Sequence, residues 1–268
     1  MNDYLKALAN RSNSERRDNL LNVLREHHIE FTHHHQLHCG YYDDDWIENI
    51  VVSLNPNTAS KRIVIGAHYD TYGDWATKEK SLGANDNASG VVVLLKLAQY
   101  LSENTKKPID LVFFDFEERG MSGSLEYIRR VGADHIAAMI NVDTVGFGDT
   151  IIIHHKDNLE LDVFADLIPK DLLLKHDVVF VPYLPSGDAG SFVSAGIPTI
   201  DISVNPQKDI QKMNEIYDKS LSKEEIFTEM EKHLEVMKTI HLAENDNIEI
   251  VSHEAINKVY EFLKEALS

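Results

Sequence analysis

Two hydrophobic periods alternate along this chain, one helical and one extended. Over residues 12–28 the apolar positions recur at three-to-four spacing, with Leu20, Leu21 and Leu24 on one face. Ser12 and Glu15 stand in capping-box spacing at its start, so the pattern predicts an amphipathic helix. Short apolar runs follow. IENIVVSL (47–54) and RIVIGAH (62–68) read as neighbouring strands across the turn NPNTAS. A helix over about 88–103 ends before Pro108. Then come a strand at IDLVFFDF (109–116), a helix at SGSLEYIRRVG (122–132) and a strand at IAAMINVD (136–143). IIIHH, DVVFV and PTIDISV continue the strands. Nearly unbroken apolar strands alternating with helices predict an α/β fold, a mostly parallel central sheet with helices on both faces. With no internal repeat, low-complexity tract or long linker, 1–268 reads as a single domain.

Two segments depart from that rhythm. Residues 205–240 form a charged, helical insert in which Ile226, Met230, Leu234 and Met237 repeat at helical spacing, as one apolar face packing on the core would. A lid, a pocket wall or a contact in a homo-oligomer are the other roles open to it. The second segment, HHIEFTHHHQLHC (27–39), holds six of the fourteen histidines. It fits either a metal site or an exposed strand ahead of the sheet, and the strand is the expectation.

Composition narrows the function classes. A net charge of −18 argues against a nucleic-acid or anionic-membrane partner. The single cysteine, Cys39, excludes an internal disulfide framework and a cysteine-based zinc cluster. The first residues lack the basic-then-apolar pattern of a signal peptide, and no apolar run reaches the roughly 20 residues of a membrane span. A cytoplasmic location is the expectation.

The candidate chemistry lies where ligands bind in α/β sheets, beyond the carboxyl ends of the strands. RIVIGAHYD ends in His68 and Asp70, DLVFFDFEERG in Glu117 and Glu118, and AAMINVDTVG in Asp143. Asp86 lies in the loop GANDNASG, and His241 follows the insert. One such carboxylate is usually a cap or a turn residue. A pair of glutamates directly after an apolar strand is costly to bury without a cation, and histidines and carboxylates on one rim suit zinc or a mixed divalent site.

The segments IVIGAHYDT, GANDNASGVVVLL, FFDFEERGMSGS, INVDTVG, SGDAGSFVSAGIPT and HLAEND together resemble the co-catalytic di-zinc aminopeptidases, whose fold relatives include the glutaminyl cyclases. The resemblance covers about residues 47–204 and 240–266. It implies a zinc-peptidase-like three-layer sandwich and two Zn2+ ions, with other divalent ions as alternatives. His68 and Asp143 would hold one ion, Glu118 and His241 the other, with Asp86 bridging both from a tight turn whose Asp86–Asn87 peptide is cis. Glu117 resembles the general base for a water between ions roughly 3.5–4 Å apart. Asp70 would orient His68 through its other ring nitrogen. Tyr183 falls near a tyrosine that polarises the scissile carbonyl in some relatives, and Asp188 in a segment lining the substrate pocket. Ala189 stands where histidine is usual, and HLAEND replaces the usual His-Thr. Asn87 and Ser89 fit helix caps equally well.

The implied function is a zinc-dependent aminopeptidase acting on peptides with a free N-terminus. A single-zinc glutaminyl-peptide cyclase is the alternative within the fold. A metal-stabilised interaction module without turnover is a third reading, which predicts loss of the base or of ligands.

Overall fold

The computed structural model describes residues 2–39, 44–72, 81–155, 162–219, 221–240 and 245–268. Among these, eight strands form one sheet: β1 (Thr32–Cys39), β2 (Asp44–Leu54), β3 (Arg62–His68), β4 (Ile109–Phe114), β5 (Ile136–Val142), β6 (Thr150–His155), β7 (Val179–Phe180) and β8 (Thr199–Asn205). Their order is β1-β2-β4-β3-β5-β8-β6-β7. The centre, β4-β3-β5-β8, is parallel. β1 pairs antiparallel with β2, β2 with β4, and β6 with β8. The sheet is therefore parallel where the site lies and mixed at its flanks.

The two faces can be read along each central strand, because alternate side chains point to opposite sides. Ile50, Val52, Ile65, Leu111, Phe113 and Ile140 enter one core with Leu20 and Leu24 and the helices Ser89–Asn104 and His253–Leu267. Val51, Val64, Val112, Phe114 and Met139 enter a second core with Tyr127 and Phe192, from the helices Ser122–Val131 and Ala189–Ser194. A sheet buried on both faces explains why its strands read as unbroken apolar runs.

β2 and β3 are not neighbours, contrary to the turn-joined pair expected from sequence: β4 lies between them. Asp110 of β4 makes this order favourable. Its Oδ1 accepts a hydrogen bond from the Ser53 hydroxyl at 2.7 Å on the β2 side and pairs with Arg62 Nη2 at 2.6 Å on the β3 side. The same Arg62 nitrogen donates to the carbonyls of Leu54 and Ile109.

The helix expected over 12–28 spans Asn13–Glu26, and Ser12 Oγ accepts from Glu15 N at 3.3 Å. The box is only half formed, because Glu15 Oε2 takes a bond from Asn10 and Ser12 N turns to Asn10 Oδ1. The 205–240 segment carries two helices, Gln207–Tyr217 and Lys223–His233. Ile226, Met230 and Leu234 are buried there with Ile210, Met213 and Ile216. No helix among the described residues is long and apolar enough to cross a membrane.

Candidate metal centre

Three carboxyl-end segments and one loop converge at the parallel centre of the sheet. His68 ends β3 and is 2% exposed, with Nε2 3.1 Å from Asp86 Oδ1 and 3.6 Å from Asp143 Oδ1. Ligand atoms of His68, Asp86 and Glu118 all lie within 4.8 Å of one another. The other ring nitrogen, Nδ1, faces Asp70, 3.3 Å from its carbonyl and 3.4 Å from its carboxylate. The Asp70 carboxylate also accepts from Glu117 N at 3.1 Å and Glu118 N at 3.2 Å. One aspartate thus holds the imidazole and the backbone of both glutamates.

The Asp86 loop is stitched to the end of β5. Asn87 Nδ2 donates to Val142 O, while Asn87 Oδ1 accepts from Gly90 N and Thr144 N. Ser89 Oγ donates to Asn85 O and accepts from Val145 N, and Asn85 Oδ1 accepts from Gly146 N. The Asp86–Asn87 peptide is cis. The asparagines and serine therefore do more than cap the following helix: they fix the distance between the Asp86 loop and Asp143. Phe116 and Thr144 have left-handed backbones, with φ of 58° and 52°, and each adjoins a predicted site residue. Such non-glycine conformations are uncommon and concentrate at functional loops.

Two further residues complete the support, and neither is among the residues expected from sequence. Asp246 is fully buried, and its carboxylate accepts from Asn85 N at 2.6 Å and Asp86 N at 3.2 Å. Arg16, also fully buried, donates to the carbonyls of Tyr69, Leu82 and Gly83. Gly83 has φ 58°, and a Cβ there would meet Arg16 Nη1 at 2.5 Å. Arg16 carried a signal: with Leu20 and Leu24 it forms an i, i+4, i+8 stripe, placing a charge on the apolar face of its helix.

The electrostatics describe a site short of positive charge. Burial alone would lower the His68 imidazole, yet Asp143, Asp70 and Asp86 together hold it well above its ordinary value. Burial, with help from Asp188, Asp143 and Glu118, pushes Glu117 well above the usual carboxylate range against the pull of His68. Asp188 is raised to about 7, again chiefly by burial. Asp143 Oδ1 is buried and accepts no hydrogen bond from the described residues. Several carboxylates around one imidazole are costly alone and are offset by a divalent ion, so the donor set fits a metal.

Beside this group lies a cavity of about 340 Å³, the scale of a small-molecule site. Asp86, Glu117, Glu118 and Asp143 line it, together with Met121, Leu184, Met230, Val236, Met237 and Ile240. The 205–240 segment is thus one of its walls. Leu184 to Gly187 line the cavity, whereas Asp188 is buried behind them. Tyr183 does not line this cavity. It packs with Phe147 and Leu184 against the cluster around Ile152 and Met213, its ring 6.5 Å from that of His154. His241 lies outside the described residues.

A parallel-centred α/β sheet that gathers His, Asp and Glu side chains at its strand ends offers a donor set of the kind that holds a divalent ion. The sequence as a whole agrees: residues 49–266 match Peptidase family M28, and the chain belongs to that family. A "Probable leucine aminopeptidase" of Trichophyton verrucosum is 25% identical over 134 residues, 46% of this chain and 38% of that protein. A "Glutaminyl-peptide cyclotransferase" of Drosophila melanogaster is 32% identical over 130 residues, 42% of this chain and 36% of that protein. These matches span under two fifths of either relative's length. The fold is shared with Porphyromonas gingivalis glutaminyl cyclase, at a TM-score of 0.71, 21% identity, and coverage of 98% of this chain and 96% of that one.

Proposed function

We propose that this chain is a metal-dependent aminopeptidase that releases the first residue of a peptide, with two zinc ions held by His68, Asp86, Glu118, Asp143 and His241. The supporting observation is the gathering of His68, Asp86 and Glu118 ligand atoms within 4.8 Å, beside a cavity that Glu117 also lines. Zinc bound there would supply Lewis-acid polarisation of the scissile carbonyl and acidify the attacking water.

The chain's own residues do the rest. Glu117, a half-buried carboxyl lining the cavity, takes the proton from the attacking water and returns it to the departing amine. Asp70 keeps that geometry by holding His68 and the Glu117–Glu118 backbone together. The carboxylate-rich lining suits a protonated α-amino group. The methionines and aliphatic residues around it suit an apolar first side chain. The lone cysteine suits a reducing compartment, so this reading places the activity in the cytoplasm.

A panel of aminoacyl chromogenic substrates, run with chelator and after zinc re-addition, tests the proposal. Leucyl and methionyl substrates should be cleaved, the activity lost on chelation and restored by zinc. Cleavage indifferent to chelator would contradict it. The second reading, a single-zinc glutaminyl-peptide cyclase, draws on the 32% match. It predicts ammonia release from glutaminyl peptides without chain shortening. A non-catalytic module is disfavoured, since Glu117 and the described ligand residues are all present.

A further inference from the structure

The histidine-rich strand forms a second cluster of metal-ligating type, away from the cavity. His33 and His35 are two residues apart on β1, so their imidazoles lie on the same face of the sheet. Across the antiparallel ladder, Glu48 of β2 stands directly opposite His35 and diagonal to His33. The three residues bring ligand atoms within 4.8 Å of one another. Both rings address the same carboxylate oxygen, Glu48 Oε1, at 2.6 Å from His33 Nδ1 and 3.9 Å from His35 Nε2. The rings are nearly parallel, 8° apart, with centroids 5.4 Å apart.

The carboxylate is held in place rather than floating. Its other oxygen, Oε2, accepts from Arg17 Nη1 at 3.1 Å, and Arg17 is itself paired with Asp18. The Glu48 backbone is fixed at both ends of its peptide: its N–H donates to Asp115, and its carbonyl accepts from the Tyr69 hydroxyl at 2.9 Å. Glu48 is 9% exposed, while the imidazoles of His33 and His35 keep 33% and 51% of their side-chain surface open to solvent. The strand face matters. His34, between them, points the other way and stacks on Tyr127 at 5.9 Å and 15°.

We propose that His33, His35 and Glu48 form a second divalent transition-metal site, independent of the cavity. Two imidazoles and one carboxylate are a zinc-type set, and its remaining coordination positions face solvent. The single oxygen cannot hydrogen-bond both rings well, whereas one cation among the three atoms satisfies all of them.

Equilibrium dialysis of the full chain against Zn2+ at pH 8, read by elemental analysis, tests this. The wild type should bind one equivalent more than the His33→Ala/His35→Ala double variant, and Glu48→Gln should also lose that equivalent. His34→Ala, which removes a histidine from the other face, should keep it. In long-range imidazole NMR spectra the His33 and His35 signals should move together as the extra equivalent binds. Cavity occupancy and peptidase activity serve as the folding control, because none of these residues lines the cavity. Equal zinc content in wild type and double variant, or loss of the equivalent in His34→Ala, would overturn the assignment.

Discussion

Replacing Arg16 with methionine removes the one buried cation that the described residues place behind the Asp86 loop. The guanidinium donates to three carbonyls, of Tyr69, Leu82 and Gly83, and so ties the end of β3 to the start of the loop. Its burial lowers its proton affinity, while Asp246, Asp70, Asp86 and Glu118 act in the opposite sense. Hydrogen bonds to a charged group are each worth about 1.5–3 kcal/mol, which sets a ceiling of roughly 5–9 kcal/mol for the three. The guanidinium's own desolvation reduces that net value. Breaking a buried ionic network by removing one partner costs about 3–5 kcal/mol, and we expect Arg16→Met to fall there. At about 2–4 °C per kcal/mol for a chain of this size, the midpoint should drop by roughly 6–20 °C. Thermal unfolding with chelator present isolates the protein term from metal binding. Arg16→Lys keeps the charge but cannot span three carbonyls, so it should recover only part of the loss. A midpoint for Arg16→Met within about 2–4 °C of wild type would refute the view that this side chain holds the loop.

Other outcomes follow from the same geometry. Glu117→Gln should lower kcat by about two to four orders of magnitude with metal content unchanged by elemental analysis; a near-wild-type rate would remove it from proton transfer. Tyr183→Phe should leave kcat/KM at the wild-type level, because Tyr183 is not among the residues lining the cavity. Burial and the neighbouring Asp70 raise Asp115 to about 7 from an ordinary 3.8, so the folded state binds a proton that the unfolded chain releases between those values. That contribution to stability is present at low pH and is lost as pH rises through 7. The stability deficit of Asp115→Asn relative to wild type should therefore shrink from pH 5 to pH 8, and an unchanged gap in Tm would contradict the assignment.

The clustering was legible in sequence wherever a candidate residue directly follows an apolar strand. His68, Glu117, Glu118 and Asp143 are marked by β3, β4 and β5, whose burial on both faces makes each strand end visible. The pairing order was not legible. β4 separates β2 from β3 through contacts of Asp110 with Ser53 and Arg62, which no local pattern encodes. Asp246 ends the segment HLAEND, yet its role depends on backbone N–H groups some 160 positions earlier in the chain. Arg16 sat on an apolar helical stripe, where an arginine usually extends its head to solvent. Its task shows only once β3 and the Gly83 turn are folded against it. Tyr183 adjoins the 184–187 wall in sequence without lining the cavity itself.

The most direct test of the metal centre is anomalous diffraction at the zinc edge from crystals of the zinc-loaded protein. The account predicts two adjacent peaks enclosed by His68, Asp86, Glu118 and Asp143, with His241 completing the set and Glu117 facing them. Active crystals with no anomalous density between His68 and Asp86 would contradict it.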